Sequence, residues 1–136
     1  MQNTLIDAGP LIALFDKSDQ YHKRAVSFLR DFEGSLLTTW PVVTEVSHML
    51  GFSTRTQINF LKWIDRGGLE VFDLEHYHLL RIIELSEKFM DVPMDLADAT
   101  LIVASEVRDI SEIASIDSDF YIYRNIRKKY LTNIFI

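Results

Sequence analysis

The chain has 136 residues, 14 of them basic and 20 acidic for a net charge of −6, and 48% are hydrophobic. That is enough apolar chain to bury the core of one domain, and the acidic balance argues against a protein that wraps duplex nucleic acid. The absence of cysteine excludes disulfides and thiolate metal sites.

No apolar run reaches the ~20 residues that span a bilayer, and Asp7 interrupts the place where a secretory leader needs continuous apolar chain. A cytoplasmic protein with no membrane segment is expected. "NTLI" (3–6) reads as a short strand stopped by the turn signal Asp7-Ala8-Gly9-Pro10. "LIALFD" (11–16) makes one or two helical turns. Ser18 or Asp19 then caps a longer helix to about Phe32, with Gly34 as its C-cap. "SLLTT" (35–39) is a second strand, and Pro41 opens a helix from Val42 to Leu50. Ser53 caps another helix, with Ile58, Leu61 and Ile64 or Asp65 at helical spacing, closed by Gly67-Gly68.

"LEVF" (69–72) is the third strand, and Asp73 and Glu75 open a helix whose buried stripe is Leu79, Ile82, Ile83 and Leu85. Pro93 breaks the chain before a helix that begins near Asp95. "EIASI" (112–116) is a fourth strand ending at Asp117, and "YLTNIFI" (130–136) an edge strand. Strands separated by helices imply parallel β-α units. The expected fold is α/β: a three-layer α/β/α sandwich with a mainly parallel sheet of four to five strands, a single domain over 1–136.

In such sheets ligands sit beyond the carboxyl ends of the strands. Asp7 closes the first strand and Asp117 the fourth, so both belong on one edge. Glu45 falls within the stripe Val42, Val46 and Met49 rather than opposite it. Asp95 reads as a helix N-cap and Asp98 as the acid three residues on, which favours the helix dipole. The helix behind Asp98 is apolar nearly all round, so its amino end should abut the sheet edge. Singly, each acid has a structural alternative: an Asx-turn at Asp7, a turn at Asp117, a boundary glutamate at Glu45.

Together, Asp7, Glu45, Asp98 and Asp117 converge. Two bare charges ~5 Å apart repel by ~3 kcal/mol at an effective dielectric near 20. A divalent cation reverses that sign, and an all-oxygen donor set suits Mg2+ or Mn2+ rather than zinc. The four histidines, at 22, 48, 76 and 78, lack zinc spacing. No P-loop, G-x-G-x-x-G or G-x-S-x-G occurs, and Gly9 stands where an aspartyl-phosphate enzyme needs a second aspartate.

"LIDAGPLIALFD", "DQYH", "LLTTWPVVTEVSHML", "PMDLADATLIVASE" and "IASIDSDFYIYR" follow one another between residues 4 and 124. In that order and spacing they resemble the PIN-domain ribonucleases, of the kind found as VapC-like toxins of type II toxin–antitoxin pairs. The resemblance implies a metal-dependent endoribonuclease, a hydrolase of single-stranded RNA using water activated by Mg2+ or Mn2+. It assigns the metal-binding acids to Asp7, Glu45, Asp98 and Asp117, with Ser115 where the family usually has threonine. Asp95 and Asp119 are nearby acids that would orient those ligands. It also implies a small antitoxin that covers the acidic groove.

The segment from Phe120 onward holds four basic residues and no acid, against a net −10 over the first 119 residues. Arg124, Arg127, Lys128 and Lys129 are therefore the candidate RNA phosphate contacts. Tyr121, Tyr123 and Trp40 are either base-stacking or core aromatics. A homodimer through the early helices and the apolar face of "QINFLKWI" is expected. The competing readings are a non-catalytic binding module on the same fold and a solitary RNA-processing nuclease without an antitoxin. A flap-type DNA nuclease is disfavoured by the short chain.

Overall fold

Short strands of two to six residues build one parallel sheet, and a helix follows each of the first three. Its strands are β1 (Gln2–Ile6), β2 (Gly34–Thr39), β3 (Glu70–Phe72), β4 (Glu112–Ala114) and β5 (Thr132–Asn133). They lie in the order β3-β2-β1-β4-β5, and all four pairings are parallel. The computed structural model describes residues 2–92, 94–117 and 131–136. Among these, the helices are α1 (Ala8–Phe15), α2 (His22–Asp31), α3 (Trp40–Met49), α4 (Thr54–Asp65), α5 (Leu79–Lys88) and α6 (Leu96–Arg108).

Alternation along the strands sorts the helices into two outer layers. Ile6 and Leu36 share a pocket with Pro10 and Leu14 of α1, Ala25 and Phe28 of α2 and Trp63 of α4, so these three helices cover one face. Thr39 points to the other face, where its Oγ1 lies 2.7 Å from Thr100 Oγ1 of α6. α5 packs outside α6, and α3 leaves the carboxyl end of β2 to touch both α1 and α6. Nine successive residues of α6, Ala97 to Ser105, are buried, as expected for a central helix apolar on every side. No helix among the described residues is long and apolar enough to cross a membrane.

Several boundaries differ from the sequence expectation for local reasons. Asp16 and Asp19 spend their carboxylates on Asx-turns, accepting from Ser18 N–H at 3.0 Å and Tyr21 N–H at 2.8 Å, so α2 starts only at His22. Gly34 caps nothing; at φ 143° it opens β2 in a conformation few side chains adopt. The core-facing side of α4 is Phe60, Trp63 and Ile64, while Ile58 and Leu61 are exposed. On α5 the buried stripe narrows to Ile82 and Leu85, with Leu79 and Ile83 exposed. β4 stops at Ala114, which leaves Ser115 and Ile116 in the turn rather than the strand.

Candidate active site

The ends of β1 and β4 and the start of α6 deliver three carboxylates to one place. β1 pairs with β4 through Leu5–Ile113 and Ile6–Ala114, and Asp7 N–H extends that ladder to Ala114 C=O at 3.0 Å. Asp7 is therefore fixed at the carboxyl edge, one residue beyond the strand, and it caps α1 by accepting Ala8 N–H at 2.8 Å. Its other oxygen accepts the Ser115 hydroxyl at 3.1 Å. Ser115 is fully buried, and the same Oγ accepts Asp117 N–H at 2.9 Å. One hydroxyl thus ties the two strand-end acids together.

Asp98 arrives from the facing layer. It stands on the first turn of α6 within a capping box: Asp95 accepts Asp98 N–H at 2.8 Å, and Asp98 accepts Asp95 N–H at 3.4 Å. Asp7, Asp98 and Asp117 each present a carboxylate oxygen, and these lie within 4.8 Å of one another. Ligand atoms on a hard cation with metal–oxygen bonds of 2.0–2.6 Å are separated by at most roughly 4–5 Å. The described donors are all oxygen, so the set fits Mg2+, Mn2+ or Ca2+ chemistry and offers nothing to a thiophilic metal.

These three residues, with Glu45 and Asp95, line a cleft of about 300 Å³ floored by Ala8, Gly9 and Ile116. A Cβ at Gly9 would sit 2.9 Å from Ile116 Cδ1, so a larger residue there obliges the Ile116 side chain to shift. The amino ends of both α1 and α6 face the cleft, and their positive dipole ends offset part of its negative charge. The offset is incomplete. Burial pushes Asp7 up to about 6, with Glu45 and Asp117 adding to the rise against the hydrogen bonds from Ala8 and Ser115. Asp98 goes higher, to about 8, through burial first and then the charges of Asp95 and Asp7. Glu45 is raised by desolvation and by Asp95 and Asp117. Acids held this far above the ordinary carboxylate range are crowded groups that gain when a cation arrives.

Of the residues singled out from sequence, the structure brings Asp7, Asp98, Asp117 and Ser115 into direct proximity. Glu45 lines the same cleft from α3 but stands outside the tight trio and is exposed, and Met49, expected beside it on a buried stripe, is exposed as well. Asp95 has the capping role expected of it and also borders the cleft. Asp119, Tyr121, Tyr123, Arg124, Arg127, Lys128 and Lys129 lie outside the described residues. Trp40 is 53% exposed at the start of α3, beside a groove of about 660 Å³ that shares Glu45 and Asp95 with the cleft and is bounded across from it by Leu96.

One residue of the site has no counterpart in the sequence reading. Asn133, on β5, hydrogen-bonds both backbone groups of Ser115. The only sequence signal was a lone amide in the otherwise apolar "LTNIFI".

Strand order, helix layers and an acidic cleft at the carboxyl edge define a PIN-like α/β/α domain. Among solved structures the chain is similar to VapC20 of Mycobacterium tuberculosis, a toxin that cleaves the sarcin-ricin loop. The two superpose with a TM-score of 0.79 over 88% of this chain and 93% of that one, at 17% sequence identity. At that identity the likeness is one of fold. No family model matches the sequence, and no curated protein matches it.

Proposed function

We propose that this protein is a metal-dependent ribonuclease that hydrolyses single-stranded RNA and serves as the toxin of a toxin–antitoxin pair. The observation that carries the proposal is the trio of Asp7, Asp98 and Asp117, buried or half-buried at the carboxyl edge of the sheet with their oxygens within 4.8 Å. A fold shared with a toxin that cuts RNA supports the same reading.

In this mechanism Asp7, Asp98 and Asp117 would hold Mg2+ or Mn2+, and Glu45 would add a donor from the facing wall. A cation bound there would supply Lewis acidity toward water and the scissile phosphate. Ser115 keeps the two strand-end acids in register, donating to Asp7 and accepting from the Asp117 backbone. Asp95 holds the first turn of α6, and with it Asp98, against the sheet edge. The amino ends of α1 and α6 favour the anionic substrate once the acids are neutralised. Trp40 offers a flat, exposed face for the base next to the scissile phosphate, and Arg124, Arg127, Lys128 and Lys129 are assigned to the phosphates beyond.

The antitoxin would cover the same cleft, and the exposed Ile58 and Leu61 of α4 suit a second copy of the chain. The test is cleavage of a labelled single-stranded RNA by purified protein with Mg2+ or Mn2+, with EDTA, and with Asp7→Asn. Cleavage restricted to wild type with metal supports the proposal. Cleavage that survives chelation or the substitution contradicts the metal mechanism, and no cleavage under any condition favours a binding module on this fold.

A further inference from the structure

β5 is two residues long, and its backbone ladder with β4 runs from Thr132 N–H on Ser111 C=O at 2.8 Å to Ile134 N–H on Ile113 C=O at 2.9 Å. Ser115 lies beyond that last rung. There the side chain of Asn133 takes over from the backbone. Its Nδ2 donates to Ser115 C=O at 2.9 Å, and its Oδ1 accepts Ser115 N–H at 3.3 Å and Phe135 N–H at 3.0 Å. A carboxamide carries the donor and acceptor of a peptide group, so it adds one more rung to the sheet. That rung falls on the residue whose hydroxyl donates to Asp7 and accepts Asp117 N–H.

We infer that Asn133 is a positioning residue of the acidic centre: its carboxamide fixes the backbone of Ser115 and, through it, the spacing of Asp7 and Asp117. The inference rests on the reading of that centre as a cation site. A hydroxyl serves two partners at 3.1 and 2.9 Å only while its backbone is held, because both bonds weaken steeply with a small rotation. Only a carboxamide satisfies Ser115 fully. An aspartate there keeps the acceptor, loses the donor and sets an oxygen against the Ser115 carbonyl.

β5 itself does not depend on the amide. Its ladder bonds hold it on one side, and Arg24 Nε donates to Phe135 C=O at 2.7 Å on the other, with Phe28 packed on the Phe135 ring.

The test compares Asn133→Ser and Asn133→Asp with Arg24→Gln, which loosens the same tail without touching Ser115. Mn2+ affinity is measured by calorimetry, kcat and KM on single-stranded RNA with Mg2+, and Tm in EDTA. Both Asn133 variants are expected to fold, bind Mn2+ about 10- to 100-fold more weakly and lose kcat by a similar factor, with KM for RNA unchanged. Asn133→Asp is the sharper of the two. Its added negative charge alone would tighten cation binding, so weakening reads geometry rather than charge.

Arg24→Gln is expected to lower Tm and leave Mn2+ affinity at the wild-type value. Wild-type Mn2+ affinity and kcat in both Asn133 variants would overturn the inference, as would an equal loss of affinity in Arg24→Gln. If wild type itself neither binds Mn2+ nor cleaves RNA, the cation reading fails first and the positioning role goes with it.

Discussion

Along α6, Glu106 receives two hydrogen bonds from Arg81, at 2.9 and 2.8 Å, whereas at the amino end Asp98 shares its space with the carboxylates of Asp7 and Asp117. The same guanidinium also reaches Glu84 at 3.1 Å, so both acids around Arg81 have a cationic partner. There the pairing raises the arginine further above its ordinary value. Around Asp98 it is the acids that rise, because burial and mutual repulsion dominate. The helix dipole makes the contrast sharper, since it favours acids at the amino end and disfavours them toward the carboxyl end. An acid placed where the dipole opposes it is given an arginine. Acids placed where the dipole helps are crowded until even that help is insufficient. The first arrangement serves stability, and the second is strained in the way that sites for cations are.

The largest effect that tests this contrast is on activity. Asp98→Asn or Asp7→Asn should reduce RNA cleavage by about 10²- to 10³-fold or more, the scale set by losing a main electrostatic contact of the transition state. In EDTA at neutral pH the same variants should melt higher than wild type, because folding crowds the charge of Asp7 and obliges Asp98 to take up a proton that the unfolded chain lacks. Lost activity with gained stability is the signature to look for. A variant that lost both would place its acid among the structural residues, beside Glu106.

Next in size is Glu45→Gln, which should lower kcat by about tenfold, as expected for a donor outside the tight trio. pH separates the two regions in a third way. Asp7 and Asp98 sit at about 6 and about 8 in the folded chain, above the ordinary ~3.9 of an unfolded aspartate. Between about pH 4 and pH 8 the folded state therefore holds protons that the unfolded state has released. The contribution of these groups to stability is complete below pH 4 and lost as pH rises through that window. The metal-free protein should accordingly lose several degrees of Tm from pH 4 to pH 8, and saturating Mn2+ should flatten the slope. The smallest effect is expected at the paired cluster. Glu106→Gln should cost about 1–3 kcal/mol in chemical denaturation while leaving Mn2+ affinity unchanged.

The acidic half of this contrast was legible in the sequence, for identifiable reasons, whereas the pairing of Arg81 with Glu84 and Glu106 was not read there. Asp7 and Asp117 follow short apolar runs that read as strands between helices, and parallel topology puts all strand ends on one edge. Asp98 was legible because its helix has no polar face to carry it elsewhere. Glu45 was less so: on α3 the spacing that places it near Val42 and Val46 leaves its head exposed at the cleft mouth. Overlapping apolar stripes misled the reading of α4. Ile58 and Leu61 fit helical spacing as well as Phe60, Trp63 and Ile64 do, and only packing decides which set faces the core. Asn133 was not legible at all, because its role depends on the register of β5 against β4, which no local pattern encodes.

Titration of the metal-free protein with Mn2+ near neutral pH, followed by calorimetry in two buffers of different protonation enthalpy, tests the cation site most directly. Saturable binding that releases protons from Asp7 and Asp98, so that the heat differs between buffers, and that disappears in Asp98→Asn, is the result expected. No saturable heat in wild type, or an identical isotherm in Asp98→Asn, would contradict it.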